Sequence, residues 1–335
     1  MNTYISYFPH GLADHIPTIL KQDCSIVEIS AISDQYIIYT SKDPISKIQQ
    51  LDIFTTSFLV IKFLGEQSRH RGHDLFEWSL TNIGKMGSKI NSVPELTGKS
   101  LRVVYIPADK ASPKNLYKNE IDQICSVLQS RFNIKSNVSQ PDFQLTVVEK
   151  PNYGFIGIKI TKESVDDFQP NGLRKEIARL MIYLSNPSPD DVFLDPFCGT
   201  GTIPLLRSQL APYSKIIAAD ASTSRVNKEL FKIPNCEVRE TPIEKFEAGK
   251  MVPNKIVTDP PWGNIQRKVD PEGLMKSLLN IPHSKNSTFV ILTPMEDLVT
   301  KSYALNALPG YSFEKFPIIV SGYQVYCYRI SQSVK

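Results

Sequence analysis

The sequence predicts an α/β protein: a doubly wound, mainly parallel Rossmann-like sheet over residues 163–335, preceded by two smaller α+β units. Three observations carry this. From about Gly172, short apolar runs alternate with helical stretches, the pattern of a parallel sheet covered on both faces. Two of those runs, Val192-Phe193-Leu194 and Ile256-Val257-Thr258, each lead into an Asp that opens a Gly- or Pro-rich loop. Residues 1–64 read strand, helix, strand, strand, helix, strand, the split β-α-β order of ferredoxin-like units.

Taken in order, Thr3–Phe8 is the first strand and Leu12–Lys21 a short helix. Strands at Ser25–Ile29 and Tyr36–Tyr39, a helical stretch at Ile45–Gln50 and a strand at Phe58–Phe63 complete the first unit. Residues 65–97 are polar and irregular and read as a linker with a short helix near Leu80, so the first unit with its linker covers 1–97. A second unit, 98–162, opens with the apolar strand Leu101–Ile106. Between Asn115 and Phe132, Ile121, Ile124, Cys125, Leu128 and Phe132 recur at helical spacing. Strands follow at Phe143–Glu149 and Gly154–Ile160, where Ile156, Ile158 and Ile160 alternate onto one face.

In the third unit Leu173, Ile177, Leu180, Met181 and Leu184 line one side of a helix. Strands are expected near Val192–Leu194, Ile216–Ala219, Cys236–Val238, Ile256–Val257 and Phe289–Leu292. Ile318–Val320 and Tyr323–Ile330, around Ser321-Gly322, read as an antiparallel hairpin.

Composition narrows the class. With 335 residues, 41% hydrophobic and 21% charged, the chain can bury at least one large core. A net charge of +4 permits an anionic partner without requiring one. Cys24, Cys125, Cys198, Cys236 and Cys327 form no C-x-x-C pair, which argues against a disulfide framework and a structural zinc site and for a reducing cytoplasm. No run is long and apolar enough to suggest a membrane span.

The first loop, Asp195-Pro196-Phe197-Cys198-Gly199-Thr200-Gly201-Thr202, has glycines where the backbone turns sharply toward a ligand. Thr202 is a candidate cap for the next helix, and Pro204 suits its first turn. Asp220 ends the next strand 19 residues beyond Gly201, with Ala221 after it; a carboxylate there accepts from a ribose diol in dinucleotide sites. No Gly-Lys-Ser/Thr follows, so the loop is not a P-loop, and Pro204 breaks the G-x-G-x-x-G pattern. Asp195 at the mouth repels a pyrophosphate but suits the amine-bearing tail of S-adenosylmethionine. Asp195, Phe197, Cys198, Gly199, Thr200, Gly201, Thr202, Asp220, Ala221 and Asp259 are therefore the expected cofactor-binding set.

The second loop, Asp259-Pro260-Pro261-Trp262-Gly263, suits methylation of an exocyclic amine. Such a nitrogen is a poor nucleophile because its lone pair is shared with the ring. A carboxylate (Asp259) and a carbonyl (Pro260) accepting its two hydrogens orient it and stabilise the positive character it gains. Pro261 stiffens the turn, and Trp262 offers a face for stacking a base, worth about 1–3 kcal/mol. Asp259, Pro260, Pro261 and Trp262 are the expected catalytic group. Trp262 with Gly263, and Arg267 and Lys268 just beyond, are candidate contacts to base and phosphate.

These residues resemble the THUMP-domain RNA methyltransferases, in particular those forming N2-methylguanosine in tRNA or related RNAs. Residues 1–64 resemble their ferredoxin-like domain, and the segment ending Phe155-Ile156-Gly157-Ile158-Lys159-Ile160-Thr161 is similar to their THUMP domain. Leu173-Arg174-Lys175-Glu176-Ile177-Ala178, then Asp195–Thr202 and Asp259–Trp262, match their catalytic domain. The resemblance implies S-adenosyl-L-methionine as cofactor, Arg174 among the substrate contacts and tRNA, at its acceptor end, as partner. It implies neither DNA nor membrane; the need for an activating subunit stays open. Two departures stand out. The acid that holds the adenine amino group after the third strand has no clear counterpart: Glu240, taken into the expected cofactor-binding set, Glu244 or backbone fills its place, and Trp262 stands where Tyr or Phe is usual. Amino methylation of adenine, of another RNA or of a protein glutamine, and a non-catalytic RNA-binding module, are the competing readings.

Among weaker signals, His70, His73 and Asp74 read as a solvated loop, so no metal site is expected, and Arg69 and Arg71 beside them are candidate RNA-backbone contacts. Cys198, inside the glycine loop, reads as a small packed residue and not a nucleophile.

Overall fold

The computed structural model describes residues 1–65, 71–109, 112–113, 116–161, 172–249, 251–261, 270–297, 308–320 and 322–332. The chain divides into two units, Met1–Tyr7 with Ile16–Glu163, and Phe8–His15 with Ser164–Lys335.

In the first unit the elements are β1 (Asn2–Tyr7), α1 (Ile16–Asp23), β2 (Ile26–Ile32), β3 (Tyr36–Ser41), α2 (Ile45–Gln49) and β4 (Thr56–Leu64). They are followed by α3 (Arg71–Thr81), α4 (Ile83–Asn91), β5 (Leu101–Ile106), α5 (Lys118–Phe132), β6 (Phe143–Glu149) and β7 (Gly154–Lys159). All seven strands share one sheet, in the order β2-β3-β1-β4-β7-β6-β5. The strands expected in separate small units are thus joined edge to edge through β4 and β7, with Leu59 opposite Ile158.

The linker reading of 65–97 is corrected: α3 and α4 occupy most of it. Leu75, Phe76 and Ser79 of α3, and Ile83, Met86, Gly87 and Ile90 of α4, form buried stripes at helical spacing. His73, expected in a loop, lies on α3 near Asp74 and Glu77 as part of an exposed polar group. His70 and Arg69 lie outside the described residues.

The second unit contains α6 (Lys175–Leu184), β8 (Val192–Asp195), α7 (Thr202–Leu210), β9 (Lys215–Asp220), β10 (Cys236–Glu240) and β11 (Lys255–Thr258). Then come α8 (Pro271–Leu279), β12 (Thr288–Thr293), β13 (Tyr311–Val320) and β14 (Tyr323–Gln332). Sheet order is β10-β9-β8-β11-β12-β14-β13. The first five strands are parallel, and β14 and β13 close the far edge antiparallel. Central strands are apolar because both faces are covered: Leu194, Ile217, Ile256, Phe289 and Ile291 belong to one buried cluster. Below the sheet, Arg207 and Asp191 form a fully buried ion pair at 2.9 Å. The same guanidinium donates to the carbonyls of Ser188, Ala211 and Pro212, tying α7 to the start of β8.

Candidate active site

Chain order runs outward from β8 through β9 to β10, then restarts on the other side of β8 with β11. Loops leaving β8 and β11 therefore diverge at the switch point, where open α/β sheets leave a crevice beyond the strand ends. Both loops singled out above leave from that edge.

The glycine turn is built by backbone. Gly199 and Gly201 adopt φ of 53° and 86°, the left-handed region that favours glycine. A side chain at Gly201 would also meet Leu230, whereas the space beside Gly199 is open. The Gly201 N–H donates to the Cys198 carbonyl at 2.6 Å, and the Cys198 N–H to the Ala219 carbonyl at 2.9 Å. Thr202, expected to cap the helix, is instead the first residue of α7, and Gly201 holds the cap position without a side-chain bond. The positive φ needed to enter α7 excludes a threonine from that place.

Asp220 ends β9 and pins this turn. Its Oδ2 accepts from the Gly199 N–H at 2.8 Å and its Oδ1 from the Ser222 N–H at 3.0 Å. Glu240 ends β10 directly opposite Asp220 in register. Its Oε2 accepts from both the N–H (3.1 Å) and hydroxyl (2.7 Å) of Thr223, which hold its carboxyl below the usual range. Of the two acids weighed after the third strand, Glu240 stands beside Asp220, while Glu244 sits on a short exposed 3-10 turn. Ala221 is exposed beside Asp220.

Asp195 differs from expectation. It does not stand open at the mouth: it is 1% exposed, and its Oδ1 accepts from the Thr258 hydroxyl at 2.6 Å and the Phe197 N–H at 3.2 Å. Burial pushes its carboxyl up to about 8, with the charges of Asp220 and Asp259 adding to the rise. The reason is position: Asp195 is the last residue of a central strand with neighbours on both sides. Phe197 packs against the main core. Cys198 packs with Ala218, Val226 and Leu230, and burial raises its thiol well above the ordinary value. That is the chemistry of a packed neutral thiol.

Asp259 follows β11 and is half-buried, Pro260 is buried and Pro261 exposed. Trp262, Gly263, Arg267 and Lys268 lie outside the described residues. Arg174 immediately precedes α6 and is ion-paired with Glu176. Asp220, Glu240 and Asp259 thus stand along one edge, an acidic setting that disfavours a pyrophosphate and favours a cationic ligand, while Asp195 is buried among them.

Residues 163–316 match the family model described as UPF0020: RMKL-like, methyltransferase domain. The match is of this segment, a little under half of the chain. Both loops and all four strand-end carboxylates lie within it. The chain is 28% identical over 158 residues to mouse tRNA (guanine(6)-N(2))-methyltransferase THUMP3, covering 43% of this chain and 31% of that one. It is 28% identical over 234 residues to tRNA (guanine(10)-N2)-dimethyltransferase of Methanocaldococcus jannaschii, covering 60% and 64%. The chain therefore matches less than two thirds of each of these relatives. Among solved structures, TrmN from Thermus thermophilus superposes with a TM-score of 0.73 at 16% identity, over 99% of this chain and 100% of that one. At that identity the likeness is one of fold.

Two residues of the matched segment escaped the sequence reading. Thr258 carries a hydroxyl directly after the buried apolar pair Ile256-Val257 of β11, and that polar residue at the strand end was the available signal. Thr223 left none, because only the sheet register brings it to Glu240.

Proposed function

We propose that the protein is an S-adenosylmethionine-dependent RNA methyltransferase acting on the 2-amino group of a guanosine in tRNA, in the acceptor-stem region, in the cytoplasm. The observation that carries this is the adjacency of the glycine turn and the Asp259-Pro260-Pro261 loop on neighbouring parallel strands, at the switch point of a UPF0020 domain. The names of the mouse and archaeal relatives support guanine N2 as target and tRNA as substrate.

The residues fit the cofactor by their chemistry. Open space beside Gly199 lets a ligand approach the backbone. Asp220 and Glu240, side by side at their strand ends, suit hydroxyl and amino donors of an adenosine, and the acidic edge suits a sulfonium and an ammonium. When bound, S-adenosylmethionine supplies an electrophilic methyl group.

The protein's own work is then positioning. Asp259 accepts one hydrogen of the guanine amine and the Pro260 carbonyl the other, turning the nitrogen lone pair outward and stabilising its gain of positive charge. A rigid pocket of this kind contributes on the order of 7–11 kcal/mol through orientation. The target base reaches it by leaving its stack. The N-terminal unit, read as ferredoxin-like (1–97) and THUMP (98–162) modules, selects the RNA by shape and backbone contacts.

The deciding experiment incubates the protein with unmodified tRNA transcripts and labelled cofactor, digests the RNA to nucleosides and identifies the labelled one by mass. N2-methylguanosine is expected; methyladenosine as the sole product would overturn the assignment.

A further inference from the structure

A buried hydrogen bond from Thr258, the residue before the second loop, to Asp195, the residue that opens the first, links the two loops. We propose that Thr258 is a positioning residue whose hydroxyl, by bonding Asp195, fixes where Asp259 stands relative to the glycine turn. This deepens the methyl-transfer reading above and rests on it.

Packing alone does not call for a hydroxyl here. Thr258 is fully buried at the end of a strand whose preceding residues, Ile256 and Val257, are equally buried. Valine has nearly the same shape and avoids the cost of burying a polar group. The hydroxyl is matched by an acceptor on the neighbouring strand: Thr258 Oγ1 lies 2.6 Å from Asp195 Oδ1. That same oxygen also receives the Phe197 N–H at 3.2 Å. One carboxyl oxygen therefore ties the last residue of β11 to the last residue of β8 and to the start of the glycine turn. Beyond it the turn is pinned to β9 through Cys198 N–H to Ala219 O and Gly199 N–H to Asp220.

Asp259 follows Thr258 directly, and Pro260 and Pro261 have no N–H with which to bind the loop back to the sheet. A shift at Thr258 is therefore passed on to the residue after it. Transfer to a weak amine nucleophile depends on alignment, and a 1 Å displacement costs about 10²-fold.

The test uses the full-length protein with Thr258→Val, Thr258→Ser and Asp195→Asn. Three readouts are taken: hydrogen exchange of the amides around Asp259 without ligand, affinity for S-adenosylhomocysteine, and kcat and KM on tRNA. In Thr258→Val, exchange around Asp259 accelerates while β8 and β9 keep their protection. Its kcat falls about 10–100-fold, with KM and S-adenosylhomocysteine affinity held within about two-fold. Thr258→Ser restores both exchange and kcat, and Asp195→Asn, which keeps the acceptor oxygen, retains slow exchange. Wild-type exchange and kcat in Thr258→Val overturn the proposal, as does a loss confined to KM or one that serine does not rescue. If the wild type transfers no methyl to RNA, the substrate assignment fails, while the exchange data still decide the role of Thr258.

Discussion

Asp259 and Asp220 are carboxylates at the ends of strands in the same sheet, yet their surroundings assign them different work. Asp220 has structural work beside its proposed contact to the cofactor, since its two oxygens hold the Gly199 and Ser222 amides. Asp220→Ala should therefore weaken S-adenosylhomocysteine binding by about 10–100-fold, the worth of hydrogen bonds to a charged group, as read by calorimetry. Asp259→Ala should lower kcat by at least about 10²–10³-fold with cofactor affinity nearly unchanged; full activity would remove Asp259 from the reaction. Asp195 makes a third, pH-dependent case. Its folded carboxyl titrates near 8 against an ordinary 3.8, so between those values the native state holds a proton that the unfolded chain has lost. Unfolding free energy then falls as pH rises through that window, and is fullest below about 4. Asp195→Asn removes the titration, so the thermal midpoint of the wild type should drop relative to the variant as pH is raised toward 8. Parallel curves for the two proteins would show that Asp195 does not titrate there.

Helix α4 shows how glycines hide an element from a sequence reading. Its nine residues, Ile83–Asn91, include Gly84 and Gly87, and each costs about 1 kcal/mol of helix propensity against alanine. Gly87 is there for packing: a β-carbon would lie 2.5 Å from the ring of Phe132 on α5. Gly87→Ala should consequently destabilise by about 1–2 kcal/mol net, overpacking outweighing the propensity gain. Gly84, with nothing within 4 Å of that position, should be neutral or gain up to about 1 kcal/mol as alanine. Thermal midpoints of the two variants moving the same way would refute the contrast. The buried strands of the second sheet were legible for the opposite reason. Phe193-Leu194, Ile256-Val257 and Phe289–Leu292 are short, apolar and β-branched or aromatic, and their environment demands little else. The placement of the second loop was legible in local sequence, since Asp259-Pro260-Pro261 directly follows the apolar strand that ends at Thr258. They were opaque where it depends on register: the opposition of Glu240 to Asp220, and the burial of Asp195 under Thr258, arise only once β8, β9, β10 and β11 lie side by side.

At the scale of the molecule, every described member of the cofactor set belongs to the unit containing Ser164–Lys335, while β1 to β7 form the sheet of the other. Ligand linkage should be correspondingly local. A ligand at 100 times its Kd stabilises the state that binds it by about 2.7 kcal/mol. Saturating S-adenosylhomocysteine should therefore slow exchange of amides in β8, β9 and the glycine turn, where opening exposes the site. Amides of β1, β4 and β7, whose opening leaves the site's own strands intact, should keep their rates. RNA should do the reverse if the N-terminal unit selects it, protecting the first unit whether or not cofactor analogue is bound. Its affinity should fall with salt in proportion to the phosphates engaged, with a slope of about −0.7 to −0.9 per contact on a double-logarithmic plot. Protection of both units by S-adenosylhomocysteine alone would mean that the cofactor state is transmitted to the RNA-selecting unit. Protection by RNA confined to the second unit would deprive the N-terminal sheet of its assigned part in choosing the substrate.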